Sequence, residues 1–109
     1  MGNTYGALGQ GHLFLGHTDQ AVAFLRKART EMLGFWLHHG VLAGALRLKG
    51  DIDEARAEIG EMLKLKPEVN SVARWRAIRA TMGGGDPRNQ ALMEKTVYAG
   101  VRRAGFPDE

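Results

Sequence analysis

The sequence predicts an all-α fold, with about six helices stacked as antiparallel pairs in a short α-solenoid, and three observations lead there. Leu42, Gly50-Asp51, Ala55, Ile59 and Pro67 repeat an order met 34 positions earlier at Leu8, Gly16-His17, Ala21, Leu25 and Leu33, and four of the six residues recur in kind. Glycine, aspartate and proline punctuate the chain at intervals that suit short helices. No stretch alternates apolar and polar residues as a half-buried strand would.

Tyr5, Leu8, His12 and Leu15 mark one face of a first helix over Asn3 to Leu15. Gly6, Gly9 and Gly11 weaken it by about 1 kcal/mol each relative to alanine, so neighbours must hold it. Gly16 ends it, and Thr18 or Asp19 is placed to cap a second helix reaching about Met32, buried through Ala21, Phe24, Leu25 and Ala28. Leu33-Gly34 stops that helix, and a third begins near Phe35 and carries Leu42, Ala45, Leu46 and Leu48 to Gly50. Asp51 caps a fourth, with Ala55, Ile59, Met62 and Leu63 on its face, and Pro67 forbids its continuation. A fifth is expected from about Glu68 to Met82, with Val69, Ala73, Ala77 and Ala80 on one side and Trp75, Ile78 and Met82 on another, which calls for two neighbours. Gly83-Gly84-Gly85 breaks it as a flexible joint, and Asp86-Pro87 opens a sixth helix carrying Met93, Val97, Val101 and Ala104 to Gly105 and Pro107. Asp108-Glu109 is expected to fray.

With 109 residues, 44% hydrophobic and 25% charged, the chain reads as one domain over 1–109. The lack of cysteine excludes a disulfide framework and thiolate metal sites, and suits a cytoplasmic setting. No apolar run approaches the roughly 20 residues of a membrane helix, and the first residues do not resemble a signal peptide. A net charge of +3 is too mild to announce a nucleic-acid binder. Arg74, Arg76, Arg79, Arg88, Arg102 and Arg103 nevertheless gather toward the C-terminus and keep weak basic-patch binding as an alternative, diluted by Asp86, Glu94, Asp108 and Glu109.

Catalytic chemistry finds no footing. Ser71 is the single serine and has no base and orienter nearby. The glycines at 6, 9 and 11 follow no strand, and Phe14 stands where a dinucleotide loop needs its third glycine. His12, His17, His38 and His39 lack metal-site spacing, since helical neighbours point about 100° apart. Neither a cofactor nor a metal is expected.

These residues resemble the tetratricopeptide repeat family, whose unit is an antiparallel helix pair in a 34-residue period. Tyr5, Leu8-Gly9, Gly16, Ala21, Leu25 and Ala28 match one unit, about 2–34, and Leu42-Ala43, Gly50, Ala55, Ile59 and Pro67 a second, about 36–69. Small residues at Gly9, Ala21, Ala43 and Ala55 let helix axes approach while Leu8, Leu25, Leu42 and Ile59 fill the gap. Leu33 and Met62 depart from the pattern, and about 70–105, with Arg76 and Asn89 at repeat positions, reads as a degenerate third pair whose capping helix shows Arg88, Glu94, Lys95, Arg102 and Arg103 to solvent.

The resemblance implies a protein-binding scaffold with a concave groove lined by the first helix of each pair. Carried over residue by residue, its lining is Asn3, Gly6 and Gln10, then Leu37, Val41 and Gly44, then Ser71, Arg74, Trp75 and Ile78, with Arg74 and Trp75 as the anchor of an amphipathic partner helix. Trp75 packed under the sixth helix is the competing expectation. Tyr5 and Leu13-Phe14 lie at an uncapped N-terminal end, which suggests a C-terminal piece of a longer protein or self-association. The close from Tyr98 to Pro107 is similar to the ends of bacterial adenylate/guanylate cyclase-like proteins, implying a regulatory tail.

Overall fold

The structure, a computed structural model, describes residues 2–81 and 86–109, with side chains from Thr4 onward. Helices α1 (Gly2–Phe14) and α2 (Thr18–Glu31) pair, as do α3 (Trp36–Lys49) and α4 (Ile52–Leu65). Helix α5 (Val72–Thr81) follows. The C-terminal helix runs in three consecutive segments: α6 (Pro87–Met93), a π-helical stretch over Glu94–Tyr98, and α7 (Ala99–Arg103). No strand occurs among the described residues. Met82 and the three glycines, where the fifth helix is expected to end and break, lie outside them.

The expected stops appear where backbone geometry needs them. Gly16 and Gly50 take left-handed conformations (φ 84° and 106°) that let the chain reverse without a Cβ clash. At Gly50 the closure is double, because its N–H and that of Asp51 both return to the Leu46 carbonyl. Asp51 and Asp86 accept N–H bonds from Glu54 and Asn89, each at 3.2 Å. Helix α2 differs: Thr18 is already its first residue, and His17 precedes it with no side-chain cap.

Small residues decide which helices touch. A Cβ on Gly9 would lie 2.6 Å from Leu25 Cγ, and one on Gly6 2.5 Å from His38 Cε1. The face of α1 turned inward is therefore Gly6, Gly9 and Leu13, and Leu8, expected to fill the gap, is 42% exposed. On α3 every residue from Trp36 to Leu46 is buried. Its Gly44 meets the C-terminal helix backbone to backbone: a Cβ there would sit 2.8 Å from Val97 Cα, and one on Gly100 would collide with the Gly44 carbonyl.

Helix α5 starts at Val72, later than the apolar pattern suggests, because the Ser71 hydroxyl accepts the Arg74 N–H at 3.1 Å and so sets the first turn. Its alanine side, Ala73, Ala77 and Ala80, faces solvent rather than a second neighbour. Trp75 is wholly buried, edge-on to Trp36, Tyr98 and Phe106 with centroids 5.9, 5.3 and 6.3 Å away. Nor does the tail fray. The N–H groups of Val72 and Ala73 donate to the Pro107 and Asp108 carbonyls at 2.9 Å each, and Asp108 pairs with Arg102. The orphan donors of the α5 N-terminus are satisfied by the chain's own end.

Gly100→Ala forces two helix backbones apart and should cost about 1–3 kcal/mol in urea unfolding. Gly11→Ala adds its methyl to open space on α1 and should stabilise by up to about 1 kcal/mol.

Candidate partner-binding surface

The concave face expected to line a groove is closed. Gly44 lies under Val97, Leu37 and Val41 follow it along the same side of α3, and both are buried, at 5% and 0% exposure. The C-terminal helix packs on this side of α3, because Gly44 and Gly100 allow an approach no longer side chain permits. Gly6 packs on His38, Ser71 is spent on its cap, and Gln10 is half-buried on α1 without a hydrogen-bond partner among the described residues. The Asn3 side chain lies outside the described residues. Trp75 sits under the C-terminal helix, the competing expectation for it, and truncating such a residue costs about 3–5 kcal/mol of fold.

Arg74 and Ile78 remain, and the structure puts them on one surface. They line a cleft of about 420 Å³ with Lys66, Glu68, Ala77 and Thr81, between the end of α4 and the outer side of α5. Lys66 and Glu68 pair at 3.5 Å across its mouth. The Arg74 guanidinium is exposed and forms no ion pair among the described residues, beside the apolar surface of Ala77 and half-buried Ile78. Ala77 and Thr81 were missed as lining residues, yet 74, 77, 78 and 81 carry the three-and-four spacing of one helical face, a signal present in the sequence. Lys66 and Glu68 could not be found that way, since an irregular stretch brings them alongside.

The other arginines are largely committed. Arg76 and Arg102 both pair with Glu94, the latter at 2.8 Å, and Arg76 also lies 5.5 Å from the Tyr98 ring centroid. Arg79 reaches Asn89 at 3.5 Å. The basic cluster is thus partly an internal clamp between α5 and the C-terminal helix, with Arg102 and Glu94 half-buried rather than displayed as an outer face.

A second polar group is buried outright. Glu58, on α4, accepts from Arg29 at 2.5 Å and lies 3.2 Å from His39 Nδ1, while His39 Nε2 lies 3.0 Å from the Leu33 carbonyl. This cluster ties α2, α3, α4 and the intervening turn together, and Arg26–Glu54 at 2.7 Å repeats the α2–α4 link at the surface. It offers no opening to a substrate. Neighbouring His38 has no partner for its buried Nε2 among the described residues. Burial first, and then His39, hold the His38 imidazole below its ordinary 6.5, so the fold favours its neutral form.

Two measurements follow from these groups. Glu58→Ala strands buried His39 and takes the partner from half-buried Arg29, and should cost about 1–3 kcal/mol. His38 contributes stability that is complete above pH 6.5 and is lost as pH falls through its lower folded value. Thermal melts taken from pH 7.5 downward should show that acid slope, and His38→Gln should flatten it.

The tetratricopeptide repeat family model matches residues 3–27 and 36–61, the first two helix pairs. No curated protein and no solved structure matches the chain. None of the helices among the described residues is long and apolar enough to cross a membrane.

Proposed function

Because the chain belongs to the tetratricopeptide repeat family, whose repeats generally mediate protein–protein interaction, we propose that it is a non-catalytic binding module that takes a partner peptide or helix on the α4–α5 cleft. The observation that carries this reading is the exposed Arg74 guanidinium, without an ion pair among the described residues, beside Ala77 and Ile78, while the C-terminal helix packs on Gly44 of α3. Arginine next to desolvated apolar area is the combination that dominates interface energetics. In this reading Trp75 supports the anchor from beneath and does not touch the partner.

A regulatory tail of a larger bacterial protein in the cytoplasm, such as a nucleotide cyclase, is the finer form of the proposal. It rests on the resemblance of the closing segment alone, and Tyr98, Val101, Ala104 and Phe106 in that segment are all buried, so packing accounts for them. Leu8 and Leu15, exposed on and just after α1, are where self-association would occur. Nucleic-acid binding is the weaker alternative, because Glu94, Asp108 and Asn89 already engage three of the six arginines' neighbourhood.

The test uses Arg74→Glu with Ala77→Asp, which reverses charge and polarity on exposed positions and should leave the melting temperature within a few degrees. Affinity capture should lose the partners held by the parent protein. Undiminished recovery by a folded double variant would remove the cleft from consideration, and complex formation with DNA at low salt that weakens steeply as salt rises would favour the alternative.

A further inference from the structure

The histidines at the α1–α2 turn stand in an arrangement the sequence spacing does not announce. His12 Nδ1 and His17 Nδ1 are 3.2 Å apart, their rings 5.5 Å between centroids and inclined at 42°. The two positions are five apart, too far for neighbours on one helix, and Gly16 in its left-handed conformation folds the second back on the first. The His12 ring and the His17 backbone are placed by other contacts. His12 stacks on Phe24 at 5.3 Å and 8°, and the His17 N–H donates to the His12 carbonyl at 2.8 Å. His17 leaves the start of α2 uncapped, its Nδ1 turned instead toward His12.

We propose that His12 and His17 form a two-imidazole chelate for a divalent transition-metal ion, with Zn²⁺ as the probe. Two nitrogens bound at about 2.0–2.1 Å on a tetrahedral ion lie roughly 3.3 Å apart, so the observed separation matches that bite, and a turn of the two rings aims both lone pairs at the ion. In the neutral metal-free pair one ring carries its proton on Nδ1 and donates to the other. On binding, that proton moves to Nε2 of the same ring, both Nδ1 lone pairs face the ion, and no proton is released. Among the described residues no group of three or more His, Cys, Asp and Glu side chains converges, so the protein supplies two ligands and leaves the remaining positions to water. His12 is half-buried and His17 exposed, which keeps the approach open. Imidazole pairs of this kind suit zinc, copper and nickel over magnesium or calcium.

The experiment titrates ZnCl₂ into the untagged, ¹⁵N-labelled full chain, with calorimetry for stoichiometry and imidazole ¹⁵N spectra for the ligating nitrogens. One equivalent should bind, with the His12 and His17 Nδ1 resonances moving together and the Nε2–H tautomer taking over in both rings. His12→Phe keeps the stack on Phe24 without a nitrogen, and it and His17→Ala should each weaken binding by about tenfold or more, through loss of the chelate effect. Binding that survives in the His12→Phe, His17→Ala double variant would place the ion elsewhere and overturn the proposal. So would the absence of any shift at these rings with zinc at about 1 mM, a concentration that fills nine-tenths or more of any site with a Kd of about 0.1 mM or tighter; in that case the pair is a hydrogen bond alone.

Discussion

Everything in this fold is arranged around the need to bury α3 on all sides. A helix with a solvated face can carry polar residues on it, whereas one enclosed by α1, α2, α4 and the C-terminal helix has to be apolar, small or internally paired. Its glycines serve the second requirement, giving Trp75, Met62 and the Val97 backbone somewhere to sit. Its histidines test the third. His39 meets it through Glu58 and the Leu33 carbonyl, and His38 does not, so one buried polar group is secured and its neighbour carries a cost.

The first two helix pairs could be read from the sequence because their information is local and given twice. Gly16 and Gly50 mark the reversals, Asp51 and Asp86 mark helix starts, and Met93, Val97, Val101 and Ala104 are all buried as their spacing implies. Errors arose where local pattern leaves a choice open. Leu8 and Gly9 are adjacent, and which one faces inward depends on how close Leu25 comes, a fact of tertiary packing. At the start of α5, Val69 has the right period and is buried, yet Ser71 ends the ambiguity by bonding the Arg74 amide instead.

The site was harder to read than the fold. The family resemblance put Leu37, Val41 and Gly44 on one face, and what covers that face is a long-range matter of two glycines more than fifty residues apart in sequence, Gly44 and Gly100. The chain's own C-terminal helix covers that face, and exposed surface remains at its margins. Arg74 belongs to the margin and Trp75, its neighbour, to the interior, since consecutive helical residues diverge by about 100°. The same geometry explains the histidines: His12 and His17 meet because a turn, not a helix, separates them.

The bonds from Val72 and Ala73 to the Pro107 and Asp108 carbonyls also impose an order on biosynthesis. Chains emerge from the ribosome N-terminus first and domains condense as they appear. The two leading pairs hold their own closures within reach and are free to form early. Helix α5 is different, for it clears the exit tunnel while the residues that complete its first turn are still held back behind it. Until they arrive, the indole of Trp75 has neither Tyr98 nor Phe106 to cover it. During that interval the nascent polypeptide presents an uncovered aromatic surface, the kind of feature that holdase chaperones recognise.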